Sequence, residues 1–176
     1  MIRYFGNFPL ISYGGVDMRN LVLRAGVARS IVDKYGVFYP YRVLDEDRPD
    51  TIAFDYYGDS DFAWLVLASN DMVDPYHDWP LCEADFMPYI ESKYGSYEAS
   101  TTVHHYESPN SSRWMTPTTR ENLPPEDRIG FDVEVTHFDW ERAMNEEKKK
   151  IRLLSRSYSR RAALEIEGAL AGGRRE

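Results

Sequence analysis

Residues 50–71 constrain the fold more than any other stretch of the chain. Asp50 precedes Thr51-Ile52-Ala53-Phe54-Asp55-Tyr56-Tyr57, and Gly58 follows at once. An Asp accepts from the free N–H groups of a first helical turn, and a Gly takes the left-handed position that ends one. Ile52, Ala53 and Tyr56 share a face, which predicts a short helix over 51–57. A second helix is expected from Asp61 to Ser69 with Ser60 as its cap, ended by Asn70-Asp71. Phe62, Leu65 and Val66 line one side, and Trp64, Leu67 and Ala68 broaden it. A helix apolar nearly all round is buried on more than one side. Val37 to Val43, aromatic and β-branched, reads as a strand ahead of this pair. Pro40 cannot donate to a ladder and places an open edge there.

The flanking segments are less regular. Residues 8–24 mix Pro9, Gly14 and Gly15 with short apolar runs, which predicts an extended arm with one or two short strands. Ala28 to Lys34 fits a short helix stopped at Tyr35-Gly36. The two prolines of Asp74-Pro75-Tyr76-His77-Asp78-Trp79-Pro80-Leu81 point to an ordered aromatic loop. Glu83 to Tyr94 reads as a helix ended by Gly95. Strands are expected at Thr101 to Tyr106, Arg113 to Thr116 and Phe131 to Phe138, with loop over 117–130. Asp139 to Leu154 reads as one charged helix. After an interruption at Ser155 to Ser157, helix resumes to Leu170, and residues 172–176 fray. No repeat or low-complexity stretch is present.

The expectation is an α+β chain in four parts: an arm (1–36), a strand–helix–helix core with the following helix (37–106), loop and strands (107–138), and a helical connector with a frayed tail (139–176). At 176 residues this is one domain or two small ones. No apolar run approaches a membrane span of ~18–20 residues, and the N-terminus lacks the pattern of a signal peptide. Cys82 is the only cysteine, so no internal disulfide forms and a reducing compartment is expected.

A net charge of −8 argues against general nucleic-acid binding, which needs basic surface to displace phosphate counterions. The charge is uneven: residues 51–100 hold ten carboxylates against Lys93, and residues 141–176 hold ten basic residues against six acidic ones. Catalytic signals are missing. His104 and His105 are adjacent and point to opposite faces of a regular strand, poorly placed to share a metal. The sequence has no His-Glu-x-x-His, paired-Cys, phosphate-loop or Gly-x-Ser-x-Gly motif. Asp55, Asp59 and Asp61 lack calcium-loop spacing, and capping explains them better. Cys82 beside Leu81 reads as a small packed hydrophobe. No cofactor or metal is expected. The aromatic content, with Tyr 13, Phe 8 and Trp 4, suits protein interfaces. The candidate interface residues are Tyr76, Trp79, Lys149, Arg152 and Tyr158.

An ordered series of motifs carries a resemblance: Phe38-Tyr39-Pro40-Tyr41-Arg42-Val43, Arg48-Pro49-Asp50-Thr51-Ile52-Ala53, Tyr56-Tyr57-Gly58-Asp59, Trp64-Leu65-Val66-Leu67, Asn70-Asp71, Asp74-Pro75-Tyr76 and Trp79-Pro80-Leu81. Tyr94-Gly95, Thr102-Val103-His104-His105-Tyr106 and Asn145 to Leu154 continue it. Across most of residues 35–170 the chain resembles the baseplate wedge protein 53 family of contractile-tailed bacteriophages. The resemblance implies a non-enzymatic structural subunit of the virion's tail baseplate, made and assembled in the host cytoplasm. It implies six copies, or a multiple, and contacts with other wedge proteins and the sheath-initiator protein, without nucleic acid or membrane. Residues 50–70 also resemble a LysM module, which implies the alternative of a glycan-binding protein acting on peptidoglycan. The short, proline-stopped segment after Asn70 departs from that module, where a closing strand should follow.

Overall fold

The computed structural model describes residues 8–20, 30–34 and 37–172. The expected helix start at Ala28, its stop at Tyr35-Gly36 and the frayed 173–176 lie outside the described residues. In chain order the elements are β1 (Leu10–Tyr13), β2 (Val16–Arg19), β3 (Phe38–Arg42), α1 (Pro49–Tyr57), a 3-10 turn (Ser60–Phe62), α2 (Ala63–Ser69), α3 (Pro75–Asp78), α4 (Glu83–Tyr94), α5 (Tyr97–Ser100), β4 (Val103–Glu107), β5 (Trp114–Met115), α6 (Pro117–Asn122), a 3-10 turn (Pro125–Arg128), β6 (Val133–Thr136), α7 (His137–Lys148), β7 (Lys150–Leu154) and α8 (Arg156–Gly172). Residues 30–34 are helical. The chain is α+β, as its sequence predicts. It forms two compact units: Met1–Trp79 with Lys149–Glu176, and Pro80–Lys148.

In the first unit β3 pairs antiparallel with β7, Phe38 opposite Leu154 and Arg42 opposite Lys150. The order is therefore strand–helix–helix–strand, and the closing strand arrives about eighty residues after the second helix. This corrects the single charged helix expected over 139–154. Helix α7 stops at Lys148 and Lys150–Leu154 is a strand, in which Ile151 and Leu153 are buried while Lys150 and Arg152 are exposed. Such alternation has the two-residue period of a half-buried strand. The expected 139–176 connector thus divides between units, and its later part is internal. Ala162, Ala163 and Ile166 of α8 join Ile151, Leu153, Leu154, Val43, Ile52, Leu65 and Val66 in one buried cluster.

Local chemistry sets the helix ends, with two corrections. Helix α1 starts at Pro49, and Arg48 N–H donates to Thr51 Oγ1 at 2.9 Å; Asp50 lies inside the first turn and is not the cap. Gly58 ends it with φ +82°, as expected. Asp59, not Ser60, caps the next turn, accepting from Asp61 N–H at 3.0 Å.

Proline placement corrects two expected loops. Pro75 opens α3, with Asp74 capping Tyr76 N–H at 3.0 Å. Pro117 opens α6 under the Thr116 cap, and Pro125 opens the second 3-10 turn. A first helical position needs no N–H, so proline starts these turns and does not forbid them.

The second unit holds a three-stranded antiparallel sheet, β5–β4–β6. Strand β6 ends at Thr136, shorter than expected, because Thr136 Oγ1 accepts from Asp139 N–H at 3.0 Å and α7 begins. Phe86 and Ile90 of α4 are buried, and the Phe86 ring meets Phe138 edge-on at 5.8 Å. Asn145 of α7 holds both backbone groups of Leu81, at 2.8 and 2.9 Å. The clamp fixes the segment where the chain enters this unit to the helix by which it leaves.

Candidate interaction surfaces

Three parts of the molecule combine exposure with unusual chemistry. The first is the hairpin β1–β2, joined by Gly14 (φ +60°) and Gly15 (φ +80°). Positive φ at both central residues matches the twist of a tight hairpin. The pairs Ile11–Met18 and Tyr13–Val16 share one face, while Leu10–Arg19 and Ser12–Asp17 share the other. All eight residues are exposed, so an apolar face lies open.

The second is the outward face of β3–β7. Phe38, Pro40, Tyr41, Arg42, Asn70, Lys150, Ile151 and Arg152 line a shallow cleft of about 710 Å3. Arg152 is held in place: its Nε donates to the Ser69 carbonyl at 2.6 Å, and its guanidinium lies 4.3 Å from the Phe38 ring centre.

The third is a ring cluster in the second unit. The pairing of β4 with β6 slips between Val103 and His105, so His104 is the extra residue of a bulge. A bulge sets two residues against one partner. This overturns the expectation that His104 and His105 point apart: their Nδ1 atoms are 2.7 Å from each other. His105 Nε2 lies 3.0 Å from Glu107 Oε1, and the His104 ring stacks on Trp140 at 5.0 Å. Burial pushes His104 below the ordinary histidine value, and the neighbouring His105 and His137 lower it further. Close by, Glu141 accepts from Tyr89 at 3.0 Å, from Lys93 at 2.6 Å and from Tyr94 at 2.9 Å. Burial alone would raise Glu141; the three hydrogen bonds outweigh it and hold the carboxyl below its usual range. Among the described residues no group of three or more His, Cys, Asp or Glu side chains could hold a metal ion.

All five interface candidates from the sequence fall in the first unit. Tyr76 is 88% exposed. Arg152 lines the cleft. The other three are packed. Trp79 lies against the core, and its Nε1 donates to the Asp47 carbonyl at 3.3 Å. Lys149 is 9% exposed, with Nζ 3.3 Å from Asp45 Oδ1. Tyr158 also packs on the core. Sequence reasoning missed Arg42, Lys150 and the apolar hairpin face. The alternation of residues 150–153 was the signal for Lys150, whereas Arg42 joins it only through the pairing of β3 with β7.

A family model described as base plate wedge protein 53 matches residues 27–160, about three quarters of the chain. No curated protein matches the chain.

Proposed function

The chain belongs to the base plate wedge protein 53 family, and on that premise we propose that it joins neighbouring wedge proteins during assembly of a contractile phage tail. Membership supports a structural role in the phage tail baseplate. The observation that carries the finer reading is the match itself, which runs from before β3 to within α8 and so spans both units. The partners are other wedge proteins and the sheath-initiator protein, with six copies or a multiple around the tail. The chain performs no reaction, and it is made and assembled in the host cytoplasm. Tyr76 and Arg152 are the exposed contact residues of this reading. Trp79, Lys149 and Tyr158 act through the rigidity of the first unit. Many simultaneous contacts raise one another's effective concentration, so a two-unit subunit with several faces suits such work. Co-expression with the other wedge proteins tests it: a stable co-purifying complex is expected, and a chain that stays alone under all combinations contradicts it.

The strand–helix–helix–strand order favours a second reading, that of a LysM-type glycan-binding protein. The closing strand expected after Asn70 is supplied by β7. Retention of the purified chain on peptidoglycan would favour this reading; passage through the column would favour the structural one.

A further inference from the structure

One face of helix α8 lines a second cleft, within the first unit. Arg156, Arg160 and Leu164 follow one another at four-residue steps on that face, and Gly58, Asp59 and Phe62 are among the other residues around a space of about 450 Å3. Arg156, Arg160 and Leu164 are all exposed.

The charge on this face is one-sided. Arg161, next along α8, has a carboxylate: Glu165 lies 3.7 Å away. Arg156 and Arg160 form no ion pair among the described residues. The first turn of α8 holds no acidic residue. A cation there opposes the helix dipole, and like charges four residues apart on a helix repel. Asp59, the carboxylate of the lining, is engaged as a cap and accepts from Asp61 N–H at 3.0 Å. The hydroxyls of the lining are also taken: Ser159 Oγ donates to the Arg156 carbonyl at 2.9 Å, and the Tyr57 hydroxyl donates to the Leu154 carbonyl at 2.9 Å. The two guanidiniums remain to meet a ligand. That of Arg156 is already placed, 4.7 Å from the Tyr56 ring centre, which lowers the ordering cost of binding.

The spacing of this face selects the shape of an occupant. Four helical residues advance about 6 Å along the axis, and two residues of an extended strand advance about 6.6 Å. Alternate side chains of an extended segment share a face. We propose that the cleft receives an extended acidic segment of another protein chain, with two carboxylates two residues apart and an apolar side chain two residues further on. The carboxylates meet Arg156 and Arg160, and the apolar side chain rests on Leu164. Nucleic acid is the poorer occupant, because its continuous charge meets a chain of net charge −8 beyond the cleft. A second copy is poorer too, because each copy carries −8 and the two repel. The inference deepens the reading of the chain as a joining subunit. It is tested on the isolated chain, so its failure is distinct from failure to enter a tail.

The probe is a fluorescein-labelled Glu-Ser-Glu-Ser-Leu peptide, titrated against the full chain by anisotropy at about 0.1 M salt. A saturable rise is expected with the wild-type chain. Glu-Glu-Ser-Ser-Leu, of the same composition, turns its carboxylates to opposite sides and should bind several-fold more weakly. Arg156→Gln with Arg160→Gln should weaken binding of the first peptide about tenfold or more. Arg160→Gln alone removes no hydrogen bond, ion pair or ring contact among the described residues. It should weaken binding several-fold and keep the melting temperature. Arg113→Gln with Arg161→Gln removes the same charge outside the cleft and should leave binding unchanged. Absence of binding by wild type overturns the proposal, as do equal affinities for the two peptides or equal loss in the two double variants. An oligothymidine of equal charge binding as tightly assigns the cleft to polyanions in general and overturns it as well. So does concentration-dependent self-association of wild type that Arg160→Gln abolishes, which assigns the cleft to a second copy.

Discussion

Asn70 closes the open side of β7 by holding both backbone groups of Arg152. Its Oδ1 accepts from Arg152 N–H at 2.7 Å, and its Nδ2 donates to the Arg152 carbonyl at 2.8 Å. The same Nδ2 donates to the Val66 carbonyl at 2.8 Å, so one side chain joins the end of α2 to the strand. Asn70→Ala should cost about 1–3 kcal/mol, the range for hydrogen bonds lost with partners left unpaired. Asn70→Asp keeps the acceptor but sets a carboxylate oxygen against the Val66 and Arg152 carbonyls, and should cost at least as much. Urea denaturation checks both; a change within error for Asn70→Ala would show that the clamp does not stabilise the unit.

The first unit depends on its distant return. A chain ending at residue 148 lacks Ile151, Leu153, Leu154, Ala162, Ala163 and Ile166, all buried in the core. Strand β3 also loses β7, its one partner among the described residues. A two-helix remnant of that size does not bury enough apolar surface to fold. Hydrogen exchange should show residues 38–69 unprotected in the shortened chain. Protection there equal to the full chain's would contradict the closing role of β7.

Tyr76 and Trp79 separate surface from scaffold. Tyr76 is 88% exposed, and Tyr76→Ala should change stability by no more than about 0.5 kcal/mol. Trp79 packs on the core and donates to Asp47, so Trp79→Ala should cost about 3 kcal/mol. If tail incorporation falls for Tyr76→Ala with its melting temperature intact, the residue is a contact. If Trp79→Ala melts as wild type does, its packing role is wrong.

Acid should weaken the second unit in two windows. His104 is held low in the folded state, so the unfolded chain binds the extra proton first. Its stabilisation is complete above 6.5 and is lost as pH falls below that value. Glu141 is also held low, but as a carboxylate. Its contribution is present above 4.5 and is lost as pH falls through the lower folded value. His104→Phe, which preserves a ring against Trp140, should flatten the upper window; Glu141→Gln should flatten the lower one and cost about 2 kcal/mol at neutral pH. Identical pH profiles for wild type and both variants would contradict these assignments.

The local signals in this sequence were readable, and the long-range ones were not. Gly58 and the buried helix at Trp64 to Ser69 stood out because their chemistry is local. Pro75 and Pro117 misled because proline ends one element and starts another, and only the capping Asp74 and Thr116 decide which. The run Glu146 to Lys150 extended a helical pattern over a strand whose alternation begins at Ile151. The partner of β3 lies more than one hundred residues away, where pairing leaves no mark on either strand alone. The bulge at His104 likewise arises from pairing. Of the candidate surface, Arg152 was legible as a basic exposed position. Its companions Arg42 and Lys150 became a group only once β3 met β7.

As a member of the base plate wedge protein 53 family, this chain is a structural part of a phage tail baseplate. Cross-linking mass spectrometry of intact, purified tails tests it most directly. Cross-links from this chain to other baseplate wedge proteins, in stoichiometric amounts, are the expected result. Tails that are complete and infectious yet contain none of this chain would contradict it.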